Sequence, residues 1–265
     1  MGAGFEVVGE AGAGLVVHVP HGGTVVPDEV RRGLLVDDQR LEAELLVLTD
    51  WLTPRLFVPP AHAVGAVALV NRVSRLVVDH ERLPDAREPL APLGLGAIYT
   101  RTADGQRLRD ERDIAQRVRL LDEWFHPWAA AAERLVDAAL ERHGRCLVLD
   151  AHSFPSRPLP YEDPALARPD VCLGFEDPHA PADLVDALEK RITRDGLTVA
   201  RNQPFAGAYV PLRHYGTDRA VRSVMIEVNR ALYLDEGTGE PGPGFAATRA
   251  LVADLVAIAA EEAPA

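Results

Sequence analysis

LVLDAHSFPS, residues 147–156, changes character halfway along its length. It begins in an aliphatic run, RCLVLD (145–150), bounded by a glycine on one side and a proline on the other, and then turns to acid, imidazole and hydroxyl. A short, β-branched or leucine-rich run between turn formers reads as a strand buried on both faces. Five more runs of this kind follow the same pattern: GLVVHV (14–19), AVGAVALV (63–70), VCLGF (171–175), LTVA (197–200) and SVMIEV (223–228). Helical periodicity lies between them. Residues 39–57 space their apolar side chains by three and four up to Pro59-Pro60, which predicts one helix. Residues 110–143 predict two helices broken at Pro127, and residues 181–195 and 244–262 one each. Strands alternating with helices predict an α/β fold, a mixed and mostly parallel sheet flanked by helices. No low-complexity linker divides the chain, so residues 1–265 read as one domain.

In such sheets ligands bind beyond the carboxyl ends of the strands. His21 follows the 14–19 run, Asp150 and His152 follow the 145–150 run, and Glu227, Asn229 and Arg230 end the 223–228 run. A carboxylate at position 227, where an aliphatic residue is expected, is costly unless paired, metal-associated or lining a wet cleft. A buried ion pair with Arg230 is one such pairing. Imidazoles and carboxylates drawn from different strand ends are also the usual ligands of catalytic zinc. Zinc takes three protein ligands and leaves a position for water, whose pKa it lowers while a nearby carboxylate shuttles the proton. Metal-free chemistries fit less well. Ser153 lacks a G-x-S-x-G elbow, HGGTVV (21–26) is no phosphate-binding loop, and Cys146 and Cys172 sit inside apolar runs as buried thiols.

The composition agrees with a small-molecule enzyme. A net charge of −12 repels nucleic-acid phosphates, and no apolar run approaches the ~20 residues that span a bilayer. Two cysteines and no evident signal peptide point to the cytoplasm.

Taken together, VPHGGTVVP (19–27), LTDWLTPRLF (48–57), NRVSRLVVDHERLP (71–84), IYTR (98–101), LDAHSFPS (149–156), DVCLGFE (170–176), NQPFAGAYV (202–210) and HYG…VMIEVNRALYLDE (214–236) resemble the N-formylglutamate amidohydrolases. These are zinc hydrolases that split N-formylglutamate into formate and glutamate at the end of histidine breakdown. The resemblance implies a phosphorylase/hydrolase-like fold of the zinc carboxypeptidase type. It makes His21 and His152 zinc ligands, with Asp50 of LTDW as the third, and Glu42 and Glu44 as rivals on the same helix. It makes Glu227 the general base. A substrate with two carboxylates calls for guanidinium groups, which grip them bidentately. Arg75 and Arg82 come first, the latter two also placed to orient Asp79, followed by Arg101 and Arg230; Asn229 and the small-residue loop at Gly207 complete the pocket. The chain departs from the family in two places. Relatives often carry Asn-Arg after the aspartate of the arginine block where this chain reads DHER (79–82), and HPWAAA (126–131) has tryptophan and alanine in place of tyrosine and histidine. Those departures leave a related N-acyl amino acid or a small peptide as alternative substrates, a zinc peptidase or peptidoglycan-amidase-like hydrolase as the alternative enzyme, and a catalytically inactive binding protein of the same fold as the alternative of another class.

Overall fold

The computed structural model of the chain describes residues 4–264. Strands β1 (Phe5–Val8) and β2 (Leu15–Val19) are followed by the short α1 (Asp28–Arg31), then α2 (Asp38–Leu48) and α3 (Thr53–Ala63). Strand β3 (Val67–Asn71) leads through a long irregular segment to α4 (Ile114–Leu120), a π-turn over Leu121–Phe125, and α5 (His126–His143). Next come β4 (Cys146–Phe154), β5 (Val171–Gly174), α6 (Ala182–Arg194), β6 (Val199–Arg201), β7 (Val221–Asn229) and α7 (Phe245–Glu262). The seven strands form one mixed sheet in the order β1-β3-β2-β4-β7-β5-β6. The central strands β3, β2, β4 and β7 are parallel; β1 at one edge runs antiparallel to β3, and β5 runs antiparallel to β7 and parallel to the edge strand β6.

Side chains alternate across a strand, so each central strand feeds two layers. On one face Leu15, Val17, Leu147, Leu149, Val224 and Ile226 pack under α3, α6 and α7. On the other, Val16, Val67, Leu69, Val148 and Val221 pack under α5 around Trp128. Each fully buried aliphatic side chain contributes about 1.5–3 kcal/mol relative to exposure. The first layer stays apolar along β4 as far as Ala151, with Ser153 next on that face; the second stops shorter. At Asp150 and His152 the α5 face of β4 carries polar side chains, and a cavity of about 960 Å³ opens there.

Several boundaries differ from the sequence reading. The 145–150 run extends to Phe154, so Asp150 and His152 lie within the strand. The 63–70 run forms a strand only from Val67, because residues 63–65 end α3 in a turn at Gly65, φ +74°. The edge strand β1 was not expected. The helix expected over 39–57 is two helices. Leu52, at φ 64°, turns the chain between α2 and α3, and α3 continues through Pro59 and Pro60 because Leu56, Phe57, Pro60 and Ala61 form its buried face. Pro127 does not break the 114–143 segment either. It sits in the first turn of α5, where a missing N–H is tolerated, and the π-turn carries the helix across. Both cysteines are buried and free. Among the described residues no helix is long and apolar enough to cross a membrane.

Candidate active site at the carboxyl edge of the sheet

Parallel register aligns the polar residues. His18 of β2 stands opposite Asp150 of β4, and His152 of β4 stands opposite Glu227 of β7. His21 lies just past β2. Asp50 lies not on a helix but in the turn between α2 and α3, where its N–H donates to the His21 carbonyl at 3.0 Å. Gly22 and Gly23 serve chain packing rather than a ligand: a side chain at either would collide with Pro54 or with the backbone at Arg72 and Val73.

His21, Asp50 and His152 are all buried, with ligand atoms within 4.8 Å of one another. The ring orientations follow from their partners. His21 Nε2 is 2.9 Å from Asp79 Oδ1, and His152 Nε2 is 2.9 Å from Asp150 Oδ1. Ionised carboxylates only accept, so both Nε2 atoms carry hydrogen. Both Nδ1 atoms turn toward Asp50 Oδ2, at 3.9 Å for His21 and 3.1 Å for His152. Donors about 2.0–2.1 Å from a tetrahedral zinc stand about 3.3 Å apart, so this trio fits a first-row divalent cation. The carboxylates behind the rings are the outer partners that fix such ligands.

Electrostatics support the same assignment. Burial opposes the charge on Asp79, but Arg75 and His21 outweigh it and hold the carboxyl well below its ordinary value. Arg75 Nη2 donates to Asp79 Oδ2 at 2.7 Å and Tyr99 Oη to the same oxygen at 2.8 Å. Asp150 is held low against burial by His152 and His18, and Asp50 against burial by His152, His21 and Arg230. Burial disfavours a charged His152, yet Glu81 and Asp150 keep its pKa well above the ordinary value. A cation held by His152 and Asp50 would take the place of that proton, since metal binding displaces protons from its ligands.

Glu227 behaves in the opposite way. Burial, reinforced by Asp50 and Glu81, raises its pKa to about 8, although His152 and Arg230 pull it down. Its Oε2 is buried without a hydrogen-bond partner. Arg230, the partner suggested for it from sequence, is engaged elsewhere: it donates to Asp50 Oδ1 at 3.1 Å, to the Val47 carbonyl at 2.7 Å and to the Ser153 carbonyl at 3.2 Å. A free carboxylate oxygen beside a metal-ligand trio is suited to taking and returning a proton.

The remaining sequence candidates divide. Arg75, Arg82, Arg230 and Gly207 line the cavity with His21, Asp50, His152 and Glu227. Arg101 does not; it pairs with Glu111 at 2.9 Å and bonds the Gly105 carbonyl. Asn229 is also outside the lining, its side chain donating to the Pro169 carbonyl and accepting from Ala231 N–H. Of the rival acids, Glu44 bonds Ala103 N–H and Arg40, while Glu42 is exposed. Sequence reasoning missed His18 and Glu81. Glu81 Oε1 lies 3.1 Å from His152 Nε2, and its Oε2 lies 3.6 Å from His21 Nδ1. The polar interruption in VVHV and the departure at DHER were the signals for the two.

Comparison with known proteins identifies the family. The family model for N-formylglutamate amidohydrolase matches residues 13–234. An N-formylglutamate deformylase of Pseudomonas putida is 30% identical over 229 residues, covering 84% of this chain and 82% of its own. The crystal structure of an N-formylglutamate amidohydrolase from Ralstonia eutropha JMP134 superposes with a TM-score of 0.84 at 26% identity, over 98% of each chain. The Agrobacterium tumefaciens gene product Atu2144 shares the fold, with a TM-score of 0.71 at 20% identity over 98% of this chain and 96% of its own. The blocks that supply the imidazoles, Asp50 and Glu227 all fall inside the matched span, and the chain belongs to the N-formylglutamate amidohydrolase family.

Proposed function

We propose that this enzyme hydrolyses the amide of an N-acylated acidic amino acid, N-formylglutamate first among them, with zinc held by His21, Asp50 and His152. The observation that carries the reading is the partnerless, buried Glu227 Oε2 beside that trio. Bound zinc would polarise the scissile carbonyl and acidify water. Glu227 then takes a proton from the attacking water and returns it to the departing amine nitrogen. Asp79 and Asp150 hold the two imidazoles in the orientation that leaves Nδ1 bare. Arg75 and Arg82 would meet the substrate carboxylates, a role supported by their position on the cavity wall. Arg230 acts differently from the sequence expectation: its bond to Asp50 positions a ligand. Family membership supports the formyl substrate and a place in histidine breakdown.

The test is formate release from N-formylglutamate by purified protein, before and after chelation and after re-addition of zinc. Activity lost on chelation and restored by zinc is the expected result; turnover indifferent to chelation overturns the metal reading. No turnover of N-formylglutamate with turnover of a larger N-acyl amino acid overturns only the substrate.

A further inference from the structure

A second group of potential metal donors lies beside the first: His18, Glu81 and Asp150, again with all ligand atoms within 4.8 Å of one another. His18 Nδ1 is 2.8 Å from Asp150 Oδ1 and 3.6 Å from Glu81 Oε1. These spacings bracket the separation of about 3.3 Å expected between donors of a tetrahedral zinc site, as do those of the His21–Asp50–His152 trio. His18 and Asp150 are buried and Glu81 is one-fifth exposed toward the cavity. Glu81 belongs to both groups at once. Its Oε1 completes the second trio while its Oε2 stands 3.6 Å from His21 Nδ1 in the first. A carboxylate spanning two donor sets in this way is the arrangement that bridges paired cations about 3.5–4 Å apart.

Charge points the same way. The cavity is lined by nine acidic side chains and three arginines. Each arginine already has an acid: Arg75 has Asp79, Arg82 has Asp79 and Glu88, and Arg230 has Asp50. A substrate with two carboxylates therefore enters a pocket whose negative charge exceeds what one divalent ion balances.

We infer that the protein binds a second divalent transition-metal cation, held by His18 Nδ1, Asp150 Oδ1 and Glu81 and bridged through Glu81 to the first. Binding moves the His18 proton from Nδ1 to Nε2, which has no hydrogen-bond partner and belongs to a ring centred 5.2 Å from that of Trp128. Asp150 keeps its bonds from His152 and from Tyr209 N–H. This inference extends the metal-dependent reading above but uses residues that reading does not require as ligands.

The test counts metal. Full-length protein stripped by chelation is titrated with Zn²⁺, and bound metal is measured by calorimetry and elemental analysis. Co²⁺ absorption serves as a second readout. Wild type is expected to bind two equivalents per chain. Glu81→Gln, which keeps the size and removes the charge, and His18→Gln should each bind one, weakening the second equivalent by at least about 100-fold. Circular dichroism checks that both remain folded. One equivalent in wild type, lost in Asp50→Ala and unchanged in Glu81→Gln, overturns the second site and leaves the first standing. No bound metal at all overturns both.

Discussion

The two faces of the sheet are built from the same strands and follow different rules. Under α3, α6 and α7, alternate residues of β2, β4 and β7 are apolar apart from Arg222 where β7 begins and Ser153 near the end of β4. Under α5, the intervening residues start apolar with Val16, Val148 and Val221 and finish as His18, Asp150, His152 and Glu227. One layer is complete and supplies stability. The other ends early, and its last third concentrates buried charge, which a protein tolerates only when that charge is paired or coordinates a metal. The site is thus supported from behind by a layer that takes no part in its chemistry.

That division of labour can be broken by substitution. The largest effect is expected on the charged face: Glu227→Gln should lower formate release by about 10²–10⁴-fold, the contribution of a positioned proton-transfer group. Thermal unfolding should show that the fold survives. A wild-type rate would mean that another group moves the proton.

The second effect concerns pH. Glu227 has an ordinary value of 4.5 and a folded-state value of about 8 in the absence of metal. Below the lower value both folded and unfolded chains hold the proton, and burial costs nothing. Above the higher value both are ionised, and the folded chain bears the whole penalty. At ~1.4 kcal/mol per unit the penalty is at most about 5 kcal/mol. Chelated wild type should therefore lose stability relative to chelated Glu227→Gln as pH climbs from about 4.5 to about 8. Parallel melting curves of the two proteins across that window would refute it.

On the apolar face the expectation inverts. Leu255 of α7 is fully buried, and Leu255→Ala should cost about 3 kcal/mol through the cavity it leaves. Turnover well below the melting temperature should stay near wild type; a rate loss beyond a few-fold would show that the two faces are coupled. The smallest effect is Arg101→Ala. Its pair with Glu111 is solvent-exposed and lies outside the cavity, so stability should change by no more than about 1 kcal/mol and KM hardly at all. A tenfold rise in KM would place Arg101 in the substrate's path.

The same contrast explains what the sequence revealed. Buried strands announce themselves as aliphatic runs, and a polar residue at the end of such a run, as at His21, His152 and Glu227, is conspicuous because the run is so uniform. Asp50 was recognised from its block, but its setting was hidden. Leucines at 45, 48, 52 and 56 keep helical spacing straight through the turn, and only the backbone at Leu52 shows that the helix stops. Glu81 belongs to the long irregular segment after β3, where no periodicity says which side chains point inward. Arg101 looked available because sequence cannot show that Glu111 already holds it.

Arg230 ties together three stretches of chain that are remote in sequence: Val47 near the end of α2 with Asp50 in the turn after it, the tip of β4 at Ser153, and its own turn after β7. During synthesis the imidazoles and Asp50 emerge long before this guanidinium does. A nascent chain halted before β7 would have the three residues proposed as ligands but no clamp for the acid, and it is expected to hold a cation less tightly than the full chain. Zinc retention by chains truncated after residue 200, compared with full-length protein, measures that order of events.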